Sequence, residues 1–152
     1  MVEAIPQGIF SKDFHLWRDG RPVAELDVSS WSEKADVDIE GVPYRLYRQG
    51  MMSGAFVLER DGQIIAQAHK LSALSDTFEI HADGRTLTLR KESFWSSDFG
   101  LFEGEQRLGG IAKAGFLTRR ARVELPKEWP SPIQTFIFWL ALLIWNREQR
   151  SS

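Results

Sequence analysis

Apolar residues run along this chain in two rhythms. Between residues 14 and 113 they recur at every second position in short runs that end in turn-forming residues. Phe78 and Ile80, then Leu87 and Leu89, alternate with charged or hydroxyl residues, which is the period of a strand with one buried face. A unit repeats: a Phe, a Leu or Ile two positions later, and a Gly at a turn. Its instances are Phe14-His15-Leu16-Trp17-Arg18-Asp19-Gly20, Phe56-Val57-Leu58-Glu59-Arg60-Asp61-Gly62, Phe78-Glu79-Ile80-His81-Ala82-Asp83-Gly84 and the shorter Phe99-Gly100-Leu101-Phe102-Glu103-Gly104. Asp-Gly closes three of them, and it is a strong hairpin signal because both residues tolerate positive φ. A returning strand follows each, at Pro22 to Val28, Gln63 to His69, Thr86 to Lys91 and Arg107 to Lys113. Ala35 to Glu40 and Pro43 to Arg48, split by Gly41, predict two more strands, and Phe116 to Leu125 predicts a last one.

The second rhythm is continuous. From Phe136 to Trp145 every residue is apolar, so a helix here presents no polar face. Ser131, Pro132 and Gln134 spell a capping box with Pro at the first helical position, and Arg147 and Arg150 suit the negative end of the helix dipole. Burying ten such side chains is worth roughly 15–30 kcal/mol gross, so the helix belongs either in a protein core or in a bilayer. Pro132 to Trp145 spans roughly 21 Å, short of a hydrocarbon core of about 30 Å, which favours the protein core. The tail-anchor alternative draws on Trp129 and Trp145, which flank the helix as interfacial anchors would.

Roughly eleven strands, mostly in local hairpins, followed by one apolar helix predict a mainly β fold. This is an antiparallel barrel of about 11–12 strands, wide enough to enclose a helix at about residues 131–147. Ala66 with Ala68, and Ala112 with Ala114, are the small residues expected to let the wall approach that helix. No linker or low-complexity stretch divides the chain, so residues 1–152 read as a single domain.

Composition narrows the function classes. A net charge of −2 gives no overall attraction to nucleic acid, and the aromatics are spaced as core residues, so nucleic acid is not an expected partner. The absence of cysteine removes disulfides, thiolate catalysis and thiolate zinc sites, and suits a cytoplasmic location. Met1 to Gly8 lacks the basic start and apolar stretch of a secretory signal.

The order of Asp-Gly hairpins, the strand Gln63-Ile64-Ile65-Ala66-Gln67-Ala68-His69-Lys70 and the helix Pro132 to Trp145 resemble the tubby C-terminal-like superfamily. That superfamily holds tubby domains, phospholipid scramblases and LURP-one-related proteins, and the resemblance covers about residues 8 to 150. It implies a roughly twelve-stranded barrel around a hydrophobic C-terminal helix. It also implies phosphoinositide binding in the tubby branch and a membrane-embedded, calcium-responsive protein in the scramblase branch. The cysteine-rich lipidation segment of scramblases has no counterpart here, and no site residue transfers from the family's motifs.

Catalytic signatures are missing: there is no phosphate loop, no Gly-x-Ser-x-Gly and no His-Glu-x-x-His, and no cofactor is expected. His15, His69 and His81 fall in separate hairpins without metal-ligand spacing. Asp36, Asp38 and Glu40 share one strand face and could offer carboxylates to a cation, without the loop and neutral ligands of a calcium site. The most suggestive surface feature is basic: Lys113, Arg119, Arg120, Arg122 and Lys127 form a candidate site for anions or lipid headgroups, since arginines hold phosphates by paired hydrogen bonds. The expectation is a non-enzymatic binding or scaffold module, cytoplasmic and membrane-associated, with an anionic phospholipid surface or a protein as partner. The alternative is a scramblase-like tail-anchored protein.

Overall fold

The computed structural model describes residues 2–6, 14–26, 34–50, 54–72, 75–93, 96–113 and 121–151. Among them twelve strands form a closed antiparallel barrel around one helix, the architecture expected from the sequence. Five hairpins make up most of the wall: β2 (Phe14–Arg18) with β3 (Arg21–Leu26), β4 (Lys34–Ile39) with β5 (Val42–Arg48), β6 (Phe56–Arg60) with β7 (Gln63–Lys70), β8 (Phe78–Ala82) with β9 (Arg85–Lys91), and β10 (Phe99–Glu103) with β11 (Gln106–Lys113). The barrel closes where β1 (Val2–Pro6) pairs with β2 on one side and with β12 (Ala121–Glu124) on the other, Val2 lying opposite Val123. Full closure removes the exposed sheet edges that would otherwise invite pairing between molecules.

The tight turns all fall at one end, which we call the turn mouth. Asp19-Gly20, Glu40-Gly41, Asp61-Gly62 and Asp83-Gly84 each have positive φ at both residues, the type I′ geometry that matches strand twist. Gly104 opens the fifth turn with φ 60. At the opposite end, the loop mouth, neighbouring strands are joined by connections of uniform length, seven residues each: 7–13, 27–33, 49–55, 71–77, 92–98 and 114–120. The wall is therefore a hairpin repeated at intervals of 20 to 22 residues. The β12–β1 pair stands where a sixth hairpin would stand, with its turn left open.

Alternation sends one face of each strand inward. Val37 and Ile39, Phe78 and Ile80, Leu87 and Leu89 are buried, and Ala66 and Ala68 are the small inward residues expected on β7. Ala112 is not inward: it lies opposite the exposed Arg122, and Ile111 takes the core position. Ala114 falls outside the described residues. Register shifts in three alternate hairpins, at Leu16/Trp17, Leu58/Glu59 and Leu101/Phe102, insert one extra residue each and increase the local twist that helps the sheet curl.

The strand count exceeds the sequence reading by β1. Five residues with only Val2 and Ala4 as buried positions give too short an alternation to register, and β1 is specified instead by its two neighbours.

Helix α1 (Ser131–Ser151) enters at the turn mouth and runs to the loop mouth. Phe136 through Ala141 are each at most 1% exposed, so more than a full turn is enclosed on every side. Trp139 meets Phe56 edge-on at 5.9 Å and lies over Phe136 at 6.2 Å. The helix starts one residue earlier than a Ser131 cap would place it, with Pro130 in the cap position. The Pro130 carbonyl accepts from the amides of Ile133 and Gln134, and the Gln134 side chain donates to the Trp129 carbonyl at 3.0 Å. Ser131 instead accepts from Arg18 at 3.1 Å and donates to Glu40 at 2.9 Å. Charged partners make the stronger bonds and win that hydroxyl from the backbone. Among the described residues no helix is long and apolar enough to cross a membrane.

Candidate functional site

The barrel separates the basic residues that lie close together in sequence. Lys113 ends β11 on the inward side, opposite buried Ala121, and its ammonium sits 5.2 Å from the centre of the Trp145 ring at the loop mouth. Arg122 is exposed on the outer wall, between Ala112 and Glu3. Lys127 follows β12 at the opposite mouth, where its carbonyl accepts a hydrogen bond from Arg18. Arg119 and Arg120 lie outside the described residues. The described members thus occupy an inner rim, an outer wall and a second rim, and do not converge.

A different set of cations shares one rim, spread over half of its circumference. Arg48, Lys70, Lys91 and Lys113 are the last residues of β5, β7, β9 and β11, spaced 22, 21 and 22 residues apart, and so hold equivalent places in the repeat. Each continues the inward alternation of its strand, after Leu46, Ala68, Leu89 and Ile111, and each is half-buried at the loop mouth. Local clustering in sequence could not reveal them. The signal lies in the repeat register, a basic residue closing four of the five returning strands.

Their surroundings explain why cations suit this rim. The helix C-terminus reaches it, and the partial negative charge of its last carbonyls favours positive neighbours. The Arg48 guanidinium lies 5.4 Å from the Phe56 ring centre. Lys91 pairs with Glu148 on the helix and with Asp76 at 3.5 Å, and Arg147 also reaches Asp76. Trp145 donates from Nε1 to the Ser97 carbonyl at 2.7 Å, tying the helix to the β9–β10 connection. Among the described residues the rim carries these four cations and Arg147 alongside the carboxylates of Asp76, Glu92, Asp98 and Glu148. Half-buried ammonium and guanidinium groups are less screened than exposed ones, so such groups can attract an anion.

The other candidate clusters resolve as follows. Cross-strand pairing brings His69 and His81 together on the outer face, ring centres 6.3 Å apart, whereas His15 stays on β2. His81 bonds Glu79 at 2.9 Å, and no group of three or more His, Cys, Asp or Glu among the described residues is arranged to hold a metal ion. The carboxylates of β4 part company. Asp36 faces Arg45 at 3.9 Å, Asp38 accepts from the Gly41 amide at 2.8 Å, and Glu40 turns to Ser131. Beside them a shallow groove of about 590 Å³ runs over Asp36, Asp38, Arg45, Glu59 and Asp61. At its edge the Tyr47 hydroxyl donates to Glu59. That bond to a carboxylate, aided by burial, raises the Tyr47 pKa above the usual tyrosine value. Comparison against family models, curated proteins and solved structures finds no match for the chain.

Proposed function

We propose that the protein is a non-enzymatic binding module that recognises anionic groups, foremost the phosphates of phospholipid headgroups, at the loop mouth. The observation that carries this reading is the repeat-spaced set Arg48, Lys70, Lys91 and Lys113 on one rim. The buried helix supports it indirectly, because it occupies the space where a barrel of this size would otherwise hold a ligand. Of the sequence candidates, Lys113 belongs to this rim. The 114–120 connection that carries Arg119 and Arg120 leaves from Lys113 and rejoins the wall at Ala121, beside Arg122, while Lys127 belongs to the other mouth.

The barrel around a hydrophobic helix agrees with the tubby-like resemblance, and membership of that superfamily is part of the proposal. So is a cytoplasmic, membrane-associated location. The tail-anchored alternative requires the helix to leave the barrel; a bilayer would rebury its side chains, but the inward apolar face of the wall would lose its filling, which makes the peripheral reading the better one.

Sedimentation with vesicles containing anionic lipid tests it. Wild-type protein is expected to pellet at low salt and to be partly released at high salt, because charge attraction is screened. Lys70→Glu, and Lys70→Glu with Lys113→Glu, should pellet progressively less at unchanged circular dichroism. Pelleting of both variants at the wild-type level would remove the rim from the reading.

A further inference from the structure

Two neighbouring connections at the loop mouth are built alike at their described ends, and each presents one group to the helix. In 71–77 the Leu71 amide donates to the Thr77 carbonyl at 3.1 Å, the Ser75 amide to the Ser72 carbonyl at 3.1 Å, and the Thr77 amide to the Ser75 hydroxyl at 2.9 Å. In 92–98 the same three bonds join Glu92 to Asp98, Ser96 to Ser93, and Asp98 to the Ser96 hydroxyl. These turns fix the sixth place of each connection. Ser97 there offers a carbonyl to Trp145, whereas Asp76 offers a carboxylate to Arg147.

Asp76 serves two cations at once. Its Oδ1 accepts from Arg147 near the C-terminal end of the helix, and its Oδ2 lies 3.5 Å from the ammonium of Lys91 at the end of β9. Glu148, next to Arg147, also reaches Lys91. A strand and the helix thus bring two cations to one carboxylate held by a connection, and charge-assisted bonds of this kind are what hold an anion from outside. Lys113, two strands away, is kept differently, with its ammonium at the face of Trp145, which attracts a cation without opposing its charge. The side chains of Lys91, Asp76 and Arg147 are 20%, 29% and 41% exposed, so these ion pairs are open to solvent and can be exchanged without unfolding the barrel.

We propose that Lys91 and Arg147 form an anion site whose resident occupant is the Asp76 carboxylate, and that a phosphate group binds there by displacing it. This rests on the headgroup reading above and adds to it a position on the rim and a residue that regulates it. A phosphate bonds both cations as the carboxylate does, and at an anionic surface phosphates are crowded enough to compete with a group tied to the chain. The two occupants are linked: whatever weakens the hold of Asp76 strengthens that of the phosphate. An arriving phosphate also frees the end of the helix beyond Trp145, which keeps its own bond to Ser97.

The test compares pelleting of the full chain with phosphatidylcholine vesicles that contain phosphatidylserine. Asp76→Asn is expected to bind about fivefold more tightly than wild type, the effect of about one additional cation near an anionic surface, at unchanged circular dichroism. Asp36→Asn makes the same change of charge on the outer wall and should bind as wild type does. In a Lys91→Gln/Arg147→Gln background Asp76→Asn should bring no gain. No gain from Asp76→Asn, a gain that persists in that background, or an equal gain from Asp36→Asn overturns the competitor and leaves the headgroup reading standing. Inorganic phosphate, compared with chloride at equal ionic strength, separates the sources of the anion. If no variant pellets yet phosphate raises the melting temperature of Asp76→Asn more than that of wild type, the site takes the free anion and the headgroup reading falls. No pelleting and no effect of phosphate overturn both.

Discussion

The indole nitrogen of Trp145 donates a 2.7 Å hydrogen bond to the carbonyl oxygen of Ser97, while the ammonium of Lys113 sits 5.2 Å from the centre of the same ring. One side chain on the helix therefore joins two parts of the loop mouth, the connection between β9 and β10 and the end of β11. Trp145→Phe keeps an aromatic ring in a site only 4% exposed but strands the carbonyl. A loss of about 1–3 kcal/mol is expected, read as a lower urea midpoint at unchanged slope. An unshifted midpoint would mean that the bond contributes nothing to the helix's anchorage.

Tyr47 gives the fold an alkaline limit. Its pKa is raised above the ordinary 10.0, first by the hydrogen bond to Glu59 and then by burial. A raised acid pKa means that the folded state holds the proton more tightly than the unfolded chain does. The stabilisation is whole below the unfolded value and is lost as pH rises through the folded one. The stability difference between wild type and Tyr47→Phe should be level through neutral pH and shrink above about pH 10. Denaturant titrations at pH 8 and pH 11 decide the matter, and an equal difference at both would contradict it.

Removal of residues 131–152 should abolish folding. Phe136, Ile137, Phe138, Trp139, Leu140 and Ala141 are at most 1% exposed, and among the described residues no other segment occupies the centre of the wall. The lost burial, roughly 15–30 kcal/mol gross, exceeds the net stability of about 5–15 kcal/mol typical of a domain. The truncated chain is expected to aggregate and to show no cooperative unfolding. A soluble truncated barrel with a sharp transition would show that the helix is dispensable.

Local signals made most of the wall legible. Strict alternation in Phe78/Ile80 and Leu87/Leu89, and three Asp-Gly pairs, are statements about neighbours along the chain, and each became a hairpin. Glu40-Gly41 forms the same kind of turn without announcing it, because Glu is rarely chosen for φ 51 and is used here while its carboxylate accepts from Ser131. What stayed hidden depends on distant partners. β1 has meaning only beside β12, and the hydroxyl of Ser131 was claimed by Arg18 and Glu40 rather than by the helix it begins. The candidate site failed to assemble for the same reason. Arg122 and Lys127 are near Lys113 in sequence, whereas Arg48, Lys70 and Lys91 share its rim in the barrel.

The seam between β1 and β12 governs the order in which this protein can be made. Five hairpins can form from local contacts as the chain lengthens, but Val2 finds Val123 only after the strands between them have been made. The helix that must occupy the interior follows later still. Until then an open, curling sheet exposes two unpaired strands and the apolar face meant for the helix, a state both slow to resolve and prone to aggregate. The chain's most hydrophobic segment is thus synthesised after the wall that must enclose it, and the time between the first hairpin and that helix is when this molecule most needs a chaperone.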